Sequence, residues 1–357
     1  MVILRIIKSL LQRWNLFKLT FAVTYKCNYK CLTCNIWKKY QDQPEISDRE
    51  LKLDEIDTLF HKIGKVFWIS ITGGEPFLRD DLVNVIEVIK ENSKCQILNL
   101  TTNGFNPKLI TKMVQEIAEL NIPLTFVNVS IDGPPNIHNK VKGVDSYHKA
   151  VETLRHLREL DYQFQNLHCS FEYTISPFNA GSFRNLISCL YEEGLGSVLS
   201  KCTLTIYHIG HLYDNYPDNS ESEIVLRNKE KMLRDISDCE QLCSSGSSFL
   251  GLLRNIYLKN ARSFLAHNRS PVSCVASKHS LFIDPYGDIY PCIILNDKLA
   301  DYRKISAKFL KEISRQWQLK YKSCRKCWTP CEAYPSIVKN PKVLLQSIIS
   351  WTLYGKY

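Results

Sequence analysis

The feature that most restricts what this chain can fold into is an alternation of two hydrophobic periodicities. Short β-branched or aromatic runs, Leu19 to Tyr25, Val66 to Thr72, Gln96 to Thr102, Leu124 to Asp132, Leu167 to Ile175 and Val198 to Ile206, read as buried strands. Helical stripes lie between them: Leu53, Ile56, Phe60 and Ile63, opened by a Ser47-Asp48-Arg49-Glu50 cap; Leu82, Ile86 and Ile89; Ile110, Val114, Ile117 and Leu120. Tyr147, Val151, Leu154 and Leu157 repeat the stripe, and Phe183, Leu186 and Leu190 give a fifth. A β-α alternation of this length predicts an α/β fold with a parallel sheet and helices outside it. The sheet is either open and doubly wound or curved into a partly closed barrel, and in both cases functional residues belong just past the C-terminal ends of the strands.

With 357 residues, 45% apolar and 23% charged, the chain is globular and long enough for two or three domains. Its net charge of +10 is concentrated at the ends: no acidic residue occurs from Met1 to Gln41, and none after Glu332. Ile3, Ile6, Ile7, Leu10, Leu11 and Trp14 form a helical stripe beside Arg5 and Lys8, so residues 1–18 read as a basic amphipathic helix. Residues 336–357, with Val343, Leu344, Ile348, Ile349 and Trp351, read as a second. Two roles are open to these ends: packing on the domain body, or reversible docking on an anionic membrane surface. No apolar run approaches the roughly eighteen residues that cross a bilayer, and no signal-peptide pattern stands near Met1, so the expected compartment is the cytoplasm, with contact to the inner membrane face as an addition. The basic excess is well short of a nucleic-acid-binding tail.

Fourteen cysteines are too dilute for a disulfide scaffold and too grouped for core packing, which points to metal. Directly after the first strand, Cys27, Cys31 and Cys34 are spaced x3 and x2 in one loop. Three thiolates on a short loop can hold three irons of a [4Fe-4S] cube and leave the fourth iron open to a small molecule. The alternative is a zinc site or buried thiols, but structural zinc takes four ligands and no fourth lies nearby.

This three-cysteine loop after a first strand resembles the signature of the radical S-adenosylmethionine superfamily. Thr72-Gly73-Gly74-Glu75-Pro76, at the end of the second strand, is similar to that family's Gly-Gly-Glu-Pro segment, in which the backbone meets the methionine amino group. Gly73 and Gly74 permit close approach of main chain to ligand, and Glu75 offers an acceptor for an ammonium. Thr101-Thr102-Asn103-Gly104 and Ser130-Ile131-Asp132-Gly133 look like further family segments at strand ends, and the resemblance carries Ser130 over to a ribose contact and Asn103 to the cofactor-binding rim. Two positions depart from the pattern. Lys142 stands where the family has an Arg before Gly143, so a bidentate carboxylate contact is lost and a point charge remains. Thr33 stands where an aromatic residue is common, which removes a stack on adenine.

The last quarter holds Cys274, Cys292, Cys324, Cys327 and Cys331, with Asp284-Pro285-Tyr286-Gly287-Asp288 as a hairpin between the first two. This set resembles the SPASM and twitch extensions of the same superfamily, and five cysteines suit one auxiliary [4Fe-4S] cluster with one thiol left over; the spare is one of Cys324, Cys327 and Cys331. A zinc ribbon is the alternative. Cys95, Cys169, Cys189, Cys202, Cys239 and Cys243 lack ligand spacing and read mostly as small buried hydrophobes. The nine histidines read as structural or surface residues.

The resemblance implies a partial (β/α)6 barrel over residues 19–210, a helical connector over 211–270 and a small auxiliary-cluster domain over 271–335. It implies cofactors, S-adenosylmethionine and two [4Fe-4S] clusters, and a flavodoxin or ferredoxin type electron donor. The implied reaction is reductive cleavage of S-adenosylmethionine to a 5′-deoxyadenosyl radical that abstracts hydrogen from substrate, with the auxiliary cluster aiding oxidation or positioning. The substrate is not legible; an anionic or membrane-associated molecule is favoured by the basic ends, with a peptide or protein as the runner-up. No catalytic acid or base is assigned. A non-catalytic iron-sulfur or zinc interaction protein is the competing class.

Overall fold

A computed structural model describes residues 16–41, 43–215, 221–243, 249–321 and 324–345. Six parallel strands form its centre: β1 (Leu16–Thr24), β2 (Val66–Gly73), β3 (Ile97–Thr102), β4 (Leu124–Ser130), β5 (Leu167–Ile175) and β6 (Thr203–Ile206). Each pairs in parallel with the next. Three more strands, β7 (Ser280–Ile283), β8 (Asp288–Tyr290) and β9 (Ala300–Asp301), extend the far side of β1 to give the order β6-β5-β4-β3-β2-β1-β7-β8-β9. The sheet is therefore α/β, mostly parallel and not closed, which resolves the open-or-barrel choice as a partial barrel.

The crossover helices are α1 (Leu53–Ile63), α2 (Leu82–Ser93), α3 (Pro107–Glu119), α4 (Pro135–Lys142), α5 (Tyr147–Gln163) and α6 (Phe183–Glu192). Each turns its apolar stripe inward; α1 buries Ile56, Leu59, Phe60 and Ile63, and α3 buries Ile110, Met113, Val114 and Ile117. The strand residues that meet these helices are Leu19, Phe21, Ile69, Leu98, Leu100, Val127, Val129 and Phe171, all fully enclosed. The alternate positions point the other way and are largely polar: Lys18 and Thr20 on β1, Ser70 and Thr72 on β2, Asn99 and Thr101 on β3, Asn128 and Ser130 on β4, Ser170 and Glu172 on β5. Because side chains alternate along a strand, one face of the sheet is a hydrophobic core and the other lines a cavity.

Several expectations need correction. The run from Val198 to Ile206 is not one strand: Gly196–Leu199 forms a helical turn, α7, and only Thr203–Ile206 is extended. The Ser47 cap does not open α1. Pro44–Arg49 forms 3-10 turns, and α1 starts after Lys52, whose N–H donates to Glu55 Oε2 at 3.1 Å. Of the expected N-terminal helix, residues 16–18 belong to β1 and residues 1–15 lie outside the described residues. Of the expected C-terminal helix, Ser336–Val338 ends α11 (Pro330–Val338), residues 341–345 are helical as expected after a break at 339–340, and 346–357 lie outside the described residues. The stretch 211–270 supplies two long helices, α8 (Glu221–Cys243) and α9 (Phe249–His267), and α9 contributes Leu253 and Arg254 to the cavity wall. After α10 (Ala307–Tyr321), α11 adds Cys331, Tyr334 and Val338 to the same wall. No helix among the described residues is long and apolar enough to cross a membrane.

Candidate active site

The three cysteines of the first group follow β1 in a loop that the fold grips from several sides. Lys30 N–H donates to Lys142 O (3.1 Å) and Leu32 N–H to Val141 O (2.8 Å), which ties the loop to the end of α4. Gly143 ends that helix at φ +67°, and a Cβ there would stand 2.5 Å from Lys30 O. Asn103 Nδ2, just past β3, donates to Asn28 Oδ1 at 2.8 Å, and Asn215 Nδ2 donates to Thr33 O at 3.1 Å. Cys27, Cys31 and Cys34 are all half-buried free thiols on one cavity of about 640 Å³. Burial pushes the Cys27 thiol up to about 12 and raises Cys31 and Cys34 as well. The loop thus holds neutral thiols at pH 7, which a metal would have to deprotonate.

Gly73 and Gly74 stand at the end of β2, where the structure shows what their missing side chains admit. A Cβ on Gly73 would lie 2.0 Å from Thr24 O, and one on Gly74 would lie 2.1 Å from Lys26 O. Their backbone closes on the cysteine loop: Gly74 N–H donates to Thr24 O and Glu75 N–H to Lys26 O, both at 2.8 Å. Glu75 is likewise occupied by its own fold. Its carboxylate accepts from Phe77 N–H (3.1 Å), Thr102 Oγ1 (2.9 Å) and Asn103 N–H (2.6 Å), fastening the ends of β2 and β3, while burial raises it to about 7.

Ser130 and Lys142 form one unit with Asp132. Lys142 Nζ lies 2.8 Å from Asp132 Oδ2 and donates to Ser130 Oγ at 2.7 Å, and both charged groups are buried. The point charge expected at Lys142 is therefore already neutralised by a carboxylate of this chain. His138 supports the same turn: its Nδ1 accepts from Asp132 N–H at 3.1 Å. Burial depresses its pKa to about 3, so the neutral ring leaves Nε2–H to donate to Ser146 Oγ.

Glu172 is a cavity residue that the sequence reading passed over. It accepts from Thr101 Oγ1 (3.0 Å) and Thr205 Oγ1 (2.6 Å), and burial raises its pKa. Below it, Ser170 Oγ donates to Asn128 Oδ1 at 2.6 Å. The signal was present as the alternation Ser170, Glu172, Thr174, one polar face on a strand taken to be buried on both sides.

The second cysteine group separates into two places. Cys274, Cys292, Cys324 and Cys327 surround a small enclosed space between the β7-β8 hairpin and the turn before α11. Cys331 is not among them; it lines the main cavity on α11. Among the described residues no three His, Cys, Asp or Glu side chains are arranged to hold one metal ion. Four thiols around one space are a donor set that could hold either a multi-iron cube or tetrahedral zinc. Of the remaining cysteines, Cys189 is half-buried and the others are buried, with the Cys239 and Cys243 sulfurs 3.9 Å apart.

Residues 21–188, from inside β1 to the last turns of α6, match the Radical SAM superfamily. That segment is a radical SAM domain. Members bind a [4Fe-4S] cluster and S-adenosylmethionine, and the thiol loop, cavity and strand-end polar residues present here fit both. Among curated relatives, the GTP 3′,8-cyclase of Pasteurella multocida is 28% identical over 153 residues, covering 41% of this chain and 42% of that protein. The probable GTP 3′,8-cyclase of Sulfurisphaera tokodaii is 23% identical over 301 residues, covering 80% and 84%. That of Archaeoglobus fulgidus is 37% identical over 114 residues, covering 32% and 35%. The matched region is thus less than half the length of the Pasteurella and Archaeoglobus proteins. Among solved structures, Streptococcus suis SuiB bound to S-adenosylmethionine aligns over 82% of this chain and 63% of its own, with 16% identity and a TM-score of 0.49.

Proposed function

We propose that this radical SAM protein is an enzyme that cleaves S-adenosylmethionine reductively at the Cys27–Cys34 loop and abstracts hydrogen from a substrate held in the partial barrel. The observation that carries the reading is the placement of three thiols and the polar inner faces of β1–β6 on one cavity of about 640 Å³. An interaction protein with structural clusters would have no use for such a cavity. Cys27, Cys31 and Cys34 would hold a [4Fe-4S] cluster with one open iron, and Thr33, Gly73, Gly74, Glu75, Asn103, Ser130 and Lys142 would shape the adjoining S-adenosylmethionine site. When bound, that pair supplies one-electron carbon-sulfur cleavage and hydrogen abstraction from an unactivated position.

The chain's own residues do the rest. Glu75 and Asn103 fix the rim on which the thiols sit, and the Lys142–Asp132 pair keeps the rim rigid without leaving net charge there. Tyr334, Cys331 and Val338 on α11, with Leu253 and Arg254 on α9, wall the cavity and keep water from reactive species. Glu172, held between two threonine hydroxyls, is placed to accept a hydrogen bond from substrate.

Cys274, Cys292, Cys324 and Cys327 form the auxiliary cluster site in this reading, and Cys331 is the spare thiol. An electron donor of flavodoxin or ferredoxin type supplies the reducing equivalent. The names of the curated relatives favour a nucleotide-like substrate, which agrees with the expectation of an anionic one. The test is anaerobic incubation of reconstituted protein with dithionite and S-adenosylmethionine. Methionine and 5′-deoxyadenosine should form in wild type and not in Cys31→Ala; their absence from iron-loaded wild type would exclude the enzyme.

A further inference from the structure

Opposite the cysteine loop, at the N-terminal ends of the strands, the cavity floor carries a cation that the fold does not neutralise. Lys18 is 1% exposed, lines the cavity, and holds its ammonium 4.4 Å from the centroid of the Trp68 ring. Among the described residues no carboxylate lies within ion-pairing distance of Lys18 Nζ, whose contact is with the Trp68 ring. The buried Glu332 carboxylate feels the field of Lys18, but that group accepts from Ser280 Oγ at 2.6 Å, and burial raises it to about 7. Lys18 differs in this from other cations on the cavity wall. Lys142 is paired with Asp132, Lys201 with Asp161, and Arg254 donates to Ser200 O.

A second donor at the same place is also unmet. Trp68 Nε1–H is buried without a partner, and its ring is the one that Lys18 covers. A desolvated ammonium opposes folding unless it is compensated, and a cation-π contact offsets only part of that cost. A buried ammonium with no ion-pair partner among the described residues, beside an orphaned indole N–H, defines what is missing: a compact group with negative charge.

Resting on the reading of this cavity as the substrate cavity, we infer that Lys18 and Trp68 receive an anionic group of the substrate, a carboxylate or a phosphate, at its floor. Thr24 lies six steps along β1 from Lys18, about 20 Å of extended chain, and adjoins the cysteine loop. The acid group is thus remote from the reacting position. The substrate is elongated, and binding energy at its acid end holds the other end at the rim. Thr20, Ser70 and Asn99 line the path between with neutral polar groups.

The experiment compares thermal unfolding of anaerobically reconstituted wild type, Lys18→Met and Lys18→Arg, with inorganic pyrophosphate and glutarate as probes of the two anion classes and S-adenosylmethionine as an independent control. Wild type should melt a few degrees higher with one probe, and which probe acts tells phosphate from carboxylate. Lys18→Met should lose that rise and Lys18→Arg should keep it. Without probe, Lys18→Met should melt above wild type, because an uncompensated buried charge has been removed. An equal rise in Lys18→Met, no rise with either probe in wild type, or a lower melting point of probe-free Lys18→Met would each overturn the inference. Loss of the S-adenosylmethionine shift in wild type would instead strike the proposed function and leave the Lys18 comparison readable.

Discussion

The Nε2 atom of His208 accepts the backbone N–H of Trp328 at 2.9 Å, while its Nδ1 lies 2.6 Å from Ile206 O. One imidazole, with Nδ1–H donating and Nε2 accepting, thereby joins the end of β6 to the segment between Cys327 and Cys331. Trp328 is fully buried, and its Nε1–H donates to Tyr257 O at 2.9 Å. The cysteine-bearing turn is held to the barrel through these contacts, which require the ring to be neutral. Burial depresses the His208 pKa to about 4.

The sign of the pH effect follows. Between about pH 6.5 and pH 4 the unfolded chain binds a proton on this ring that the folded chain refuses, so the contribution of His208 is present above pH 6.5 and lost as pH falls through that window. The full loss is roughly 3 kcal/mol at about 1.4 kcal/mol per pH unit. His208→Phe should melt lower than wild type near pH 7.5 because Trp328 N–H is orphaned, and should lose less between about pH 7.5 and pH 5 than wild type does. Thermal unfolding across that range checks both; an unchanged slope would remove His208 from the account.

The buried Lys142–Asp132 pair calls for a different experiment. Asp132 Oδ1 accepts Thr174 N–H at 3.0 Å, and its other oxygen depends on Lys142. Lys142→Met would leave a carboxylate enclosed without its counter-charge, and should cost about 3–5 kcal/mol in urea unfolding. Lys142→Arg, which keeps the charge, should cost far less. A Lys142→Met variant as stable as wild type would show that the fold does not depend on the pairing of Asp132 with Lys142.

Much of this architecture is legible in sequence because its signals are local. The spacing of Cys27, Cys31 and Cys34 and the apolar runs of β2 to β5 each sit within one segment, so the barrel and its rim follow from them. What is not legible is decided between distant segments. Ser280–Ile283 pairs with β1, more than 250 residues away in the chain, and nothing in either sequence names its partner. Lys18 reads as part of a basic helix when the run is started at Leu19; only with Leu16–Thr24 as one strand do Lys18, Thr20 and Ala22 fall on one face against Leu19, Phe21 and Val23. The separation of Cys331 from Cys324 and Cys327 is another case, since Pro330 starts α11 and turns Cys331 toward the main cavity.

Gly73 and Gly74 are predicted to be required by the protein's own backbone. Any side chain at Gly73 meets Thr24 O and any at Gly74 meets Lys26 O, and Gly73 also holds φ +135°. Alanine at either position should push the end of β2 from the loop that carries Cys27. Reconstituted Gly74→Ala should bind fewer irons than wild type while keeping its far-UV circular dichroism. Full iron content in that variant would mean that the loop can move without disturbing the thiols.

The division of the last five cysteines gives the sharpest prediction. If Cys274, Cys292, Cys324 and Cys327 hold one cube and Cys27, Cys31 and Cys34 another, fully reconstituted wild type carries about eight irons per chain. Cys327→Ala should fall toward about four, because the remaining thiols around the small enclosed space no longer complete a cube. Cys331→Ala should retain about eight, because its sulfur faces the main cavity and contributes nothing to that space. Iron and sulfide quantitation with the EPR spectrum of the reduced proteins reads the difference directly. Equal iron loss in both variants would place Cys331 among the ligands, and no loss in either would move the auxiliary cluster away from this turn altogether.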